Sequence, residues 1–185
     1  MFTIPNIMTM ARIAIIPVMF ICFLVENTGA ESAIWLCFAL YVIASITDFI
    51  DGWWARKYNQ ITAFGTFLDP ISDKIFVGCL LIMLVGFGRL DGLAMIPALI
   101  IMVREFLVSG LREFLGPHDI QLPVTKLAKW KTATQMISLG FLIITPITPY
   151  TAEIGLSLLS IAAALTVITG WGYLRAGLDV MKKMD

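Results

Sequence analysis

Residues Thr47–Lys74 read TDFIDGWWARKYNQITAFGTFLDPISDK and separate two apolar runs, Ser32–Thr47 and Ile75–Gly88. Four aspartates, Asp48, Asp51, Asp69 and Asp73, fall within 26 residues. Asp48 and Asp51 are three apart, so they share one face of a helix. Asp69 and Asp73, four apart, share one face of the next. A short connection, Tyr58–Phe64, makes the two helices antiparallel. Both acidic pairs lie close to that connection and are expected to meet as one four-carboxylate cluster.

The rest of the chain says where such a cluster sits. Of 185 residues, 59% are hydrophobic and 14% are charged, against roughly 25% in an ordinary soluble domain. So few charges cannot cover a soluble domain of this length, and so apolar a chain is not disordered. Cys22, Cys37 and Cys79 are isolated in apolar runs with no CxxC pair, which excludes a disulfide scaffold and reads as reduced packing residues. Zero net charge argues against nucleic acid as a partner. What remains is an all-α integral membrane protein, a single domain over residues 1–185.

Six uncharged stretches recur: Ile13–Val25, Ser32–Thr47, Ile75–Gly88, Gly92–Val103, Thr132–Ala152 and Ile154–Leu174. A span needs about 20 residues, so the first four must extend into charged flanks. Six transmembrane helices with both termini on one side place twelve of the thirteen basic residues on that side, with Arg89 alone opposite. The positive-inside rule makes that side cytoplasmic. Nine of the thirteen acids fall there too. The N-terminal MFTIPNIMTMAR has neither a basic n-region nor a cleavage site, so no signal peptide is expected, and Ile4–Met10 is expected to lie along the interface.

Four carboxylates cannot gather in a low-dielectric site alone, since one Asp at a helix centre costs roughly 2.5–3.5 kcal/mol. A cation must sit among them. No His or Cys is near, and all-oxygen ligation suits Mg²⁺ or Mn²⁺, with two ions forming the usual clamp on a phosphoryl centre. A solvated helix–loop junction, a divalent-cation or proton transporter, and a structural membrane subunit are the competing readings. The small residues discriminate. Gly52 and Ala55 follow Asp48 at i+4 and i+7, leaving the helix backbone open to a flat ligand, and Arg56 can pair with phosphate. Gly65 opens the facing helix. Together they suit a nucleotide diphosphate bound through metals.

The spacing D-x2-D-G-x2-A-R-x8-G-x3-D-x3-D, carried by Asp48, Asp51, Gly52, Ala55, Arg56, Gly65, Asp69 and Asp73, resembles the signature of the CDP-alcohol phosphotransferases without a departure. The resemblance implies a six-helix membrane fold, a homodimer, two divalent ions held by the four aspartates, and a CDP-linked donor from which CMP leaves. It also implies Asp73 as general base, and Asn6, Thr9 and Arg12 closing the nucleotide side.

The acceptor has to be read from other charges. Arg104, Arg112, Lys126, Lys129 and Lys131 are expected to border the cluster, and a neutral alcohol would need no such group. Arg104, Arg112, Lys126 and Lys131 are assigned to an acceptor phosphate. Positive-inside anchoring and ion pairs such as Arg104–Glu105 are the plainer alternatives. IPNIMTMARI (Ile4–Ile13), MVREFLVSGLRE (Met102–Glu113) and KLAKWKTATQM (Lys126–Met136) resemble the bacterial branch of that family whose acceptor is sn-glycerol 3-phosphate. On that likeness CDP-diacylglycerol is the donor, membrane lipids surround the chain, and the active site faces the cytoplasm at a bacterial inner membrane. Serine, inositol phosphate and phosphatidylglycerol are the alternative acceptors. The last third reads as generic hydrophobic helix. His118 reads as a loop residue, and Trp53, Trp54 and Trp130 as interfacial anchors.

Overall fold

Apolar runs too short to cross a membrane become long helices here by absorbing their charged flanks. The computed structural model describes residues 3–58, 62–116, 126–148 and 150–184, except the side chains at 4, 49, 51–53, 55, 56, 183 and 184. Six α-helices follow one another among the described residues: α1 (Ile4–Glu26), α2 (Glu31–Lys57), α3 (Ala63–Gly86), α4 (Met95–Leu115), α5 (Lys126–Ile143) and α6 (Tyr150–Met184). One 3₁₀ turn, Gly92–Ala94, leads into α4, and no described residue is in a strand.

Local chemistry sets the ends. Pro5 sits in the first turn of α1, where its missing N–H costs nothing. The Thr62 hydroxyl caps α3 by accepting from the Gly65 N–H at 3.0 Å. Gly29 (φ +91°) and Gly88 (φ +69°) make the left-handed steps after α1 and α3. His118 and the rest of the loop between α4 and α5 lie outside the described residues, as does the Trp53 side chain.

Among the described residues, four stretches are long and apolar enough to cross a membrane: Pro5–Glu26, Glu31–Asp48, Gly92–Leu115 and Tyr150–Lys182. The other two helices fall short of that measure. Asp69, Asp73 and Lys74 occupy the first half of α3, and α5 has 18 residues and opens on Lys126, Lys129 and Lys131. Ile4–Met10 does not lie apart at an interface. It is the first part of the continuous α1, with Asn6 and Thr9 buried.

The chain divides into two compact units, Met1–Leu90 with Leu139–Ala152, and Asp91–Ser138 with Glu153–Asp185. In the first, α1 packs on α2 and α3 around Met19, Phe23, Tyr41, Leu80 and Leu84. The Tyr41 and Phe76 rings stack at 5.9 Å. Arg89, the basic residue apart from all the others, is buried in this unit. It pairs with Glu26, lies 4.4 Å from the Phe23 ring centroid and donates to the Leu142 and Ile143 carbonyls at the end of α5. Burial lowers its pKa, and Glu26 opposes that shift. In the second unit, Val108, Leu111, Leu115 and Tyr173 form a core with Val180 and Met181 against it. Cys22 and Cys37 are buried and Cys79 half-buried, all unbonded.

Candidate active site

On α1, polar residues recur every third position inside an apolar helix: Asn6, Thr9 and Arg12. All three are buried. Their partners climb α3 in the same order, so α1 and α3 run parallel. Asn6 Nδ2 donates to Thr62 Oγ1 at 3.0 Å, and Thr9 Oγ1 donates to Asp69 Oδ1 at 2.7 Å. Arg12 Nη1 reaches Ser72 Oγ at 3.3 Å and the Asp73 carboxylate. The same Nη1 lies 2.7 Å from Asp48 Oδ1 on α2. A buried guanidinium must be paired to be tolerated, and these carboxylates pair it.

The two acidic helices are thus gathered on one atom of a third. Arg12 is 2% exposed while the Asp48 and Asp73 side chains are 45% and 51% exposed. Composition and spacing called for a cation among the aspartates. The cation that the chain itself places there is Arg12, which the family resemblance assigned to closing the nucleotide side with Asn6 and Thr9. The signal was available in the three-residue spacing of Asn6, Thr9 and Arg12.

Gly65 is buried in the first turn of α3. A Cβ there would lie 2.6 Å from Asn6 Oδ1 and 3.2 Å from Thr62 Oγ1, so the space its side chain leaves is filled by α1. Asp51, Gly52, Ala55 and Arg56 lie in the last turns of α2, but their side chains are outside the described residues. The donor set suits a hard divalent cation, being carboxylate oxygens alone on adjoining helices with half their surface open. Among the described residues, no three carboxylates stand close enough to hold an ion by themselves.

The second unit gathers the acceptor candidates. Arg104 Nη1 lies 3.3 Å from Glu105 Oε1, and Lys131 pairs with the same carboxylate. Arg104 Nη2 donates to Thr169 Oγ1 at 3.3 Å. The Arg104 and Arg112 guanidinium carbons lie 5.5 Å and 5.1 Å from the Tyr173 ring centroid. Arg104, Arg112 and Lys131 are therefore brought together by Glu105 and Tyr173, while Lys126 is exposed at the start of α5. Thr169 and Tyr173 show that α6 is more than generic hydrophobic helix. They are spaced i,i+4 and meet the arginines of α4. A groove of about 180 Å³ beside Arg104 is walled by Leu107, Leu111, Val167, Trp171 and Leu174. Arg104 Nε and Thr166 Oγ1, both on residues lining it, are buried without a hydrogen-bond partner among the described residues. Unmet polar groups beside an open apolar groove suit a ligand with a polar head.

Known proteins are similar to the chain over nearly its whole length. The family model for CDP-alcohol phosphatidyltransferase matches residues 2–171, well past Met136, where the residue-level likeness stopped. The chain is 48% identical over 179 residues to a CDP-diacylglycerol–glycerol-3-phosphate 3-phosphatidyltransferase of Rickettsia typhi, covering 95% of this chain and 97% of that one. An enzyme of the same name from Rickettsia felis is 47% identical over 175 residues, 93% of each chain. One from Bacillus subtilis is 36% identical over 193 aligned positions, 98% of each.

Proposed function

The chain belongs to the CDP-alcohol phosphatidyltransferase family, and from that premise we infer that it moves the phosphatidyl group of CDP-diacylglycerol onto glycerol 3-phosphate, giving phosphatidylglycerophosphate and CMP. It is a transferase of phospholipid synthesis. The observation that carries this reading is the joining of Asp48 and Asp73, from two helices, on the single Nη1 of Arg12, inside a chain aligned end to end with relatives of that name.

The mechanism follows from the chain's own groups. Asp48, Asp51, Asp69 and Asp73 would hold the divalent ions, Mg²⁺ or Mn²⁺, whose positive charge would offset that on the reacting phosphoryl group. Asp51, Gly52, Ala55 and Arg56 receive the cytidine diphosphate part of the donor, with Gly65 and Thr9 setting the approach of α1. Arg104, Arg112, Lys126 and Lys131 hold the acceptor's phosphate, which shares Arg104 and Lys131 with Glu105. The Asp73 carboxylate takes the proton of the acceptor's primary hydroxyl. The acceptor's hydroxyl oxygen attacks the phosphorus bearing diacylglycerol, the bond from that phosphorus to the bridging oxygen breaks, and CMP leaves with the bond's electrons.

The membrane arrangement proposed with it has six spans, α3 and α5 crossing alongside the four apolar helices. Both termini and the active site face the cytoplasm of a bacterial inner membrane. The charge asymmetry supports this orientation, and the family resemblance supports a homodimer.

An acceptor panel tests the function. Purified protein is given CDP-diacylglycerol, Mg²⁺, and in turn glycerol 3-phosphate, serine, inositol phosphate or phosphatidylglycerol. CMP release with glycerol 3-phosphate is expected. Release with serine and none with glycerol 3-phosphate would overturn the acceptor assignment.

A further inference from the structure

Transfer chemistry needs carboxylates, but it does not by itself require a buried arginine behind them. The Arg12 side chain is 2% exposed, yet one of its nitrogens serves Asp48, Asp73 and Ser72. The two carboxylates are half exposed, so their open surface lies on the side away from the guanidinium. Arg12 is thus beneath the cluster rather than in the path by which a solvent cation enters.

We propose that Arg12 is a fixed positive charge built under the carboxylate cluster, holding Asp48 and Asp73 at their working separation before any metal ion arrives and remaining in place afterwards. The inference rests on the reading of these aspartates as the metal site. Two carboxylates drawn to one point repel each other and would swing apart on their separate helices. An ion from solution prevents this only while bound. A guanidinium tethered to α1 prevents it always, and its planar, rigid donor set fixes direction as well as charge. Thr9 does the same for Asp69 by a neutral route, its hydroxyl donating at 2.7 Å. Arg12 acts on the substrates only through Asp48 and Asp73, so it is a positioning residue.

The test compares wild type, Arg12→Gln and Arg12→Lys, purified whole in detergent. Thermal unfolding is followed in chelator and in Mn²⁺, and bound Mn²⁺ is read by electron paramagnetic resonance. For Arg12→Gln the Tm in chelator is expected to fall by on the order of 5 °C. The gain in Tm on adding Mn²⁺ is expected to at least double, because the ion then supplies the charge the arginine supplied. The bound-Mn²⁺ spectrum should broaden, and kcat should fall with KM for glycerol 3-phosphate little changed. Arg12→Lys should recover part of the chelator Tm and not the wild-type spectrum, since a point charge cannot orient two carboxylates. An equal loss of Tm with and without Mn²⁺ would mean that Arg12 only fills space, and would overturn the proposal. So would an unchanged spectrum in Arg12→Gln. A wild type that neither binds nor is stabilised by Mn²⁺ removes the metal site itself, and the inference with it.

Discussion

Asp73 is both the proposed general base and an ion-pair partner of the buried Arg12. Asp73→Asn keeps the shape of the side chain but cannot accept the acceptor's proton. CMP release is expected to fall by roughly 10²–10⁴-fold, the usual contribution of a general base. A Tm measured beside the wild type checks that the fold is retained. Gly65 makes a different kind of demand. Its Cβ in Gly65→Ala would meet Asn6 Oδ1 at 2.6 Å, so α1 must move or Asn6 must turn out of its bonds with Thr62. Overpacking of this sort costs about 1–3 kcal/mol. The double variant Gly65→Ala with Asn6→Ser should recover part of that loss in thermal unfolding, because the clash is with one removable amide.

Helix contacts follow from where side chains are small. In the second unit, Gly170 and Gly177 on α6 are seven residues apart, and so are the residues they meet on α4, Arg104 and Leu111. The order is the same along both helices, so they run parallel and approach closely through the glycines. A Cβ at Gly177 would lie 2.5 Å from Leu111 Cδ1, and one at Gly170 would lie 2.9 Å from Arg104 Cγ. Gly177→Val is expected to lower stability by about 1–3 kcal/mol, read by denaturation in detergent. Gly170→Ala should act on function, since it pushes the arginine that pairs with Glu105. Its expected signature is a raised KM for glycerol 3-phosphate with kcat less affected. In the first unit, Arg89 closes the end of α5 by donating to its last carbonyls, as a basic residue at a helix C-terminus does. Arg89→Met leaves the half-buried Glu26 unpaired and should destabilise by about 1–3 kcal/mol, with Glu26→Gln in the same chain restoring part of it.

At the scale of the whole chain, the placement of charge dominates. Twelve of thirteen basic residues fall on one side of the proposed membrane arrangement, and the thirteenth, Arg89, is neutralised by Glu26, so it does not weigh against that orientation. A cysteine introduced at Thr28, in a background lacking the native cysteines, should label with an impermeant maleimide from outside intact cells. One introduced near Met184 should label only after lysis. The reverse pattern would refute the orientation. The quoted aspartate signature made the acidic faces of α2 and α3 legible, because i,i+3 and i,i+4 spacings act within a single helix. The apolar runs likewise made the all-helical membrane class legible, though α3 carries three charges, Asp69, Asp73 and Lys74, inside an apolar helix, and α5 opens on three lysines.

What the sequence determined by itself was local: which segments are helical, which faces are acidic, which family the signature resembles, and which side of a membrane the basic residues favour. Each depends on periodicity or composition over a few turns. Only tertiary structure decided that Arg12 lies under Asp48 and Asp73, that Gly65 serves Asn6, and that Thr169 and Tyr173 of a seemingly uniform α6 hold the arginines of α4. Those facts depend on which helix faces meet. Residues 36 to 69 positions apart are joined there by packing, and no spacing rule within one helix carries that information.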